Sequence, residues 1–197
     1  MASATSKRLR DLAAEIPSDE IIRLTLRHLE PEHNDFSDHA IAMIGASLLE
    51  KALEVSILAH LRPLSGDERS RLFRYDCNGP IADFSARIKL ADALGIFGPK
   101  TLADLNRIRE IRNVFAHSVR YVGFATEAVE NACGLLQMAD WMTLMETAGR
   151  DLAKPRVRYI ETCLYIASCL KSDILKPKKP GTLEHLGKIV TRDRLLP

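Results

Sequence analysis

GPKTLADLNRIREIRNVFAHS, residues Gly98 to Ser118, is the stretch that decides the fold. It reads as one helix. Gly98 suits the end of a preceding helix, and Pro99 suits the first helical turn, where its missing N–H costs nothing. With each residue a step of about 100° around the axis, Leu105, Ile108, Ile111, Val114 and Phe115 gather on one broad apolar side. That side is the expected core face. Asn106, Arg109, Glu110, Asn113 and His117 gather opposite, and Arg112 stands at the edge of the apolar side.

The chain on either side repeats this pattern. Pro17-Ser18-Asp19-Glu20 has the composition of a helix start. Asn34 to Leu61 is the longest apolar run at helical spacing, with Asp35 or Ser37 as cap and Pro63 as stop. Its Ala40, Ala42, Gly45, Ala46 and Ser47 are small enough for another helix to come close. Ser65-Gly66-Asp67-Glu68 opens a short arginine-rich helix. Cys77-Asn78-Gly79-Pro80 is a turn, and Pro80 is expected to open a helix that Gly95 ends. SVRYVGF after His117 reads as an extended connection. One helix is expected from Ala125 to Met145, closed by Gly149, and another from Pro155 to Leu170. The last is apolar on more than one side, which suits a dimer interface. The expected fold is all-α: a single helical domain over residues 1–170, followed by a basic, proline-containing tail over 171–197.

Composition bounds the function. The 197 residues are 46% apolar and 27% charged, with a net charge of +2. That is the make-up of an ordinary globular domain and gives no general attraction for nucleic acid. The segment holding Arg23 and Arg27 is not followed by a basic recognition helix, so direct DNA reading is not expected. Cys77, Cys133, Cys163 and Cys169 show no CxxC pair and read as reduced, buried small residues. No run of 18 apolar residues and no signal peptide is seen, so the expected setting is the cytoplasm with no membrane contact. No nucleotide-binding, zinc-protease or serine-hydrolase motif is present, and neither a cofactor nor a metal is expected.

Chemistry-bearing residues concentrate in Arg112-Asn113-Val114-Phe115-Ala116-His117. This hexapeptide resembles the R-x4-H motif of the HEPN superfamily. The resemblance implies a helical, metal-independent endoribonuclease, or an inactive RNA-binding relative. His117 would then move a proton while a ribose 2′-OH attacks phosphorus, Arg112 would stabilise the developing charge, and Asn113 would position. Asn106 and Arg109 on the same helix are candidate binding residues. Arg112 and His117 lie five residues apart, about 140° around an ideal helix, so the pair needs local unwinding or a second subunit to meet. A structural reading stands beside this one. A histidine in a last turn answers free carbonyls and the helix dipole, and an arginine at a core edge buries its stem.

A longer stretch, GPIADFSARIKLADALGIF from Gly79 to Phe97, is similar to the central segment of the mannitol operon repressor family. That resemblance implies a compact, dimeric helical protein that regulates transcription of a sugar operon through protein partners. The R-x4-H hexapeptide is not expected in a typical member. Both resemblances are compatible with one HEPN-like helical bundle. Glu50 and Glu54 share a face of the long helix and are placed to meet an arginine or to lie in solvent. Arg87 and Lys89 read as solvated or as part of a basic rim.

Overall fold

A computed structural model describes residues 35–138 and 151–174. These residues form six α-helices and one short 3-10 helix, with no strand among them. The helices are α1 (Asp35–His60), α2 (Gly66–Phe73), α3 (Phe84–Ala93), α4 (Pro99–His117), α5 (Glu127–Gly134) and α6 (Pro155–Ile174). The 3-10 turn Tyr75–Cys77 joins α2 to α3. The expected helix after Pro17, together with Trp141, Gly149 and the tail beyond Ile174, lies outside the described residues.

The long α1 is the axis of the bundle. It packs most extensively on α6 and also against α4 and α3. Ile41, Leu49, Leu53 and Ile57 of α1 are sealed from solvent together with Ile88, Leu105, Ile108 and Tyr159. The small residues of α1 permit this closeness. A Cβ on Gly45 would stand 2.8 Å from the Tyr159 ring and 3.1 Å from Cys163 Sγ. The Tyr159 hydroxyl donates to the Ala42 carbonyl at 2.8 Å, so the buried phenol is satisfied. The two-sided apolar pattern of α6 is used up within the chain. Tyr159, Ile160, Cys163, Leu164, Ile166, Ala167 and Leu170 are all buried there.

Local signals set most boundaries. At α2, Ser65 Oγ accepts the Glu68 N–H and Glu68 accepts the Ser65 N–H, a reciprocal cap. Gly95, at φ +67°, closes α3. Its N–H reaches Asp92 O and the next N–H, of Ile96, reaches Ala91 O, the paired bonds of a Schellman ending. Gly98 therefore does not end α3. It is the N-cap of α4, with Pro99 in the first turn.

Three expectations need correction. Pro80 does not open α3. The chain there is still turning, with Ile81 N–H bonded back to Leu72 O, and Asp83 makes the real cap by accepting the Ala86 N–H at 2.8 Å. Gly79 is needed where it is, because a Cβ would collide with the Leu72 carbonyl. The helix expected from Ala125 to Met145 breaks after Gly134. Finally, α6 runs on to Ile174, so the first four residues of the expected tail are helical.

Candidate functional site

The aromatic rings around Phe115 hold the C-terminal end of α4 in place. Phe115 meets His39 of α1 edge-on at 5.1 Å and Phe124 at 5.2 Å, and Phe124 meets Tyr159 of α6 at 5.2 Å. The connection after His117 is pinned as well. Asp38 accepts the Phe124 N–H at 2.9 Å and pairs with Arg156 at 3.1 Å. The last turn of α4 thus stands on a fixed base while its outer side faces solvent.

On that turn the candidate residues point different ways. Arg112 is half-buried and donates through Nη1 to Asn113 Oδ1 at 3.1 Å. Its charge acts inward, on Glu50 and Tyr75. His117 is exposed on the far side of the helix. Arg112 and Asn113 are therefore brought together, and His117 does not join them within one chain. Asn106 bonds back to the Leu102 carbonyl of its own helix at 3.0 Å. Arg109 is half-buried, and its Nε is sealed without a hydrogen-bond partner among the described residues. Val114, expected in the core, is 45% exposed. It sits about 100° round from Phe115, past the edge of the face that α1 and α3 cover. With Tyr121 at 62% and the fully exposed Val119, it forms an apolar group beside the motif.

No family model matches the chain, and no curated protein or solved structure matches it.

Two polar centres went unread in the sequence. The first is Arg87, which is buried, not solvated. Its guanidinium donates to Ile81 O, Glu50 O and Phe73 O, each at 3.1 Å, and lies 3.2 Å from Glu54 Oε2. Glu54 also takes two bonds from Arg69. Glu54 therefore meets arginines of α2 and α3, and not Arg112. The signal was present: Arg87 falls at a core position between Phe84, Ile88 and Ala91, and Glu54 falls beside Leu53 and Ile57. Opposite charges at core positions of two helices are a pairing pattern.

The second centre explains the break after Gly134. Asp104 is fully buried and accepts the N–H groups of Gln137 and Met138 at 2.8–3.0 Å. Arg107 takes the Leu135 carbonyl at 3.0 Å, and Arg158 takes the Leu136 carbonyl with two bonds. The orphan groups of both broken ends are met by side chains of α4 and α6. Burial raises the Asp104 carboxyl above its ordinary value, against the two backbone donors and the charges of Arg107 and Arg158.

The cysteines are all free. Cys77 is exposed, Cys169 is partly buried, and Cys133 and Cys163 are buried as expected. Desolvation pushes the Cys133 thiol up to about 12 and that of Cys163 higher still, so neither is a ready nucleophile. Among the described residues no group of three or more His, Cys, Asp or Glu side chains is placed to hold a metal. No helix among them is long and apolar enough to cross a membrane.

Proposed function

We propose that the chain is a regulatory protein resembling the mannitol operon repressor, acting through a protein partner and not by reading DNA. The observation that carries this is the apolar group of Val114, Val119 and Tyr121, exposed on the pinned end of α4. Solvent-facing apolar side chains grouped on a rigid element suit a partner surface better than a catalytic cleft. The separation of Arg112 from His117 supports the same reading, since one chain assembles no catalytic pair. A sugar-operon reporter in cells carrying Val114→Asp plus Tyr121→Asp tests it. Regulation is lost while circular dichroism remains that of the folded protein. Unchanged regulation by the folded double variant overturns the proposal.

One observation favours a second reading, a HEPN-type endoribonuclease. Arg112 and Asn113 are already joined, and His117 stands free on the same turn. A second copy docked through the apolar group would bring another His117 to each Arg112. The assay is incubation of RNA with purified protein in EDTA. His117→Ala abolishes cleavage and leaves the fold intact, because an exposed helix-end histidine contributes only about 0.3–1 kcal/mol. RNA left equally untouched by wild type and variant removes this reading.

A further inference from the structure

Glu50 does not fit the pattern of the rest of the polar core. Glu54, one turn further along α1, is fully paired with Arg69 and Arg87. Glu50 Oε1 is also sealed from solvent, yet it has no hydrogen-bond partner among the described residues. A buried acceptor with no donor is uncommon in folded proteins and calls for a physical reason. The groups that face it come from four elements. Lys51 is on its own helix, Arg87 and the capping Asp83 are at α3, Arg112 is on α4, and Tyr75 is in the 3-10 turn. Arg87 is already committed, giving its bonds to three backbone carbonyls and its charge to Glu54. Lys51 is the neighbour of Glu50 in sequence, and adjacent residues on a helix do not face each other. Arg112 is different. Only its Nη1 is engaged among the described residues, on Asn113, and its charge still reaches Glu50.

We propose that Glu50 is a positioning residue for Arg112: its ionised carboxylate holds the guanidinium at the seam of α1 and α4 beside Asn113, and protonation releases that hold. The pair makes the outer site responsive to a buried group. Its chemistry is simple, because the field of one carboxylate in a poorly solvated seam orients a long flexible cation far more than the same charge would in water. Burial raises the Glu50 carboxyl against the charges of Arg87, Arg112 and Lys51, so release falls above the ordinary glutamate range. The proposal rests on Arg112 belonging to the functional surface. Its test reads Arg112 directly and is independent of whether RNA is cleaved or a partner bound.

The test is proton–nitrogen NMR of the labelled full chain, following the Arg112 Nε–H resonance, assigned by its loss in Arg112→Lys. The sample is taken from neutral pH to the acid limit of the folded state. In wild type the resonance moves with one midpoint above the ordinary glutamate value. In Glu50→Gln that transition is gone, and in Asp83→Asn it persists. Glu50→Asp, which keeps the charge, retains it if Glu50→Gln does not fold. A flat Arg112 resonance in wild type overturns the proposal without any variant, and so does a transition that survives Glu50→Gln.

Discussion

Replacing Arg87 with Met keeps the length of the side chain and removes its charge and donors. Three backbone carbonyls, of Ile81, Glu50 and Phe73, then lose a donor, and the buried Glu54 loses one of its two arginines. Each abandoned buried acceptor costs about 1–3 kcal/mol before water or repacking relieves it. Removing one member of a buried ion pair typically costs about 3–5 kcal/mol in total. Glu54 keeps Arg69, which limits the loss, so about 4 kcal/mol is expected. That is a large part of the roughly 5–15 kcal/mol by which a domain is stable. With a urea slope of about 2 kcal/mol per molar, the unfolding midpoint falls by about 2 M, read by circular dichroism. Arg69→Met is the control. Its side chain is 48% exposed against 8% for Arg87, so its pairing is screened and its loss costs about 1 kcal/mol or less. Equal losses in the two variants, or an Arg87→Met midpoint within error of wild type, would refute the reasoning.

Other outcomes follow from the same geometry. Gly45→Ala gains about 1 kcal/mol of helix propensity but drives a methyl into Tyr159 and Cys163, which costs about 1–3 kcal/mol, so thermal melting shows a net loss. Asp104→Ala strips the acceptor from two backbone N–H groups and lowers stability by about 2–4 kcal/mol. Hydrogen exchange at Gln137 and Met138 should quicken ahead of the core, and unchanged protection there would dismiss the capping role. The Glu68 carboxyl is lowered from 4.5 to about 2, first by its bond to Arg62 and then by those to Ser65. Its contribution is present above the ordinary value and is lost as pH falls through that window. The gap in melting temperature between wild type and Glu68→Gln therefore closes between those two pH values.

What could be read without coordinates was whatever depends on near neighbours in the chain. The period of Leu105, Ile108, Ile111 and Phe115 marked the buried side of α4, and Ser65, Gly95 and Pro99 marked helix ends, because capping involves residues three or four apart. The small residues of α1 announced a close helix, and α6 arrived to fill that place. The angle between Arg112 and His117 was also fixed locally, by the helix itself. The break after Gly134 was not legible, since its bonds come from Asp104, Arg107 and Arg158, none of them within 20 residues of the site they cap. Arg87 was legible as a charge at a core position, but its partners were not, for Glu50 O lies 37 residues away in sequence. Val114 shows the limit most simply. Helical spacing places a side chain on a face to within about a quarter turn, and only the helices packed around α4 decide where shelter ends.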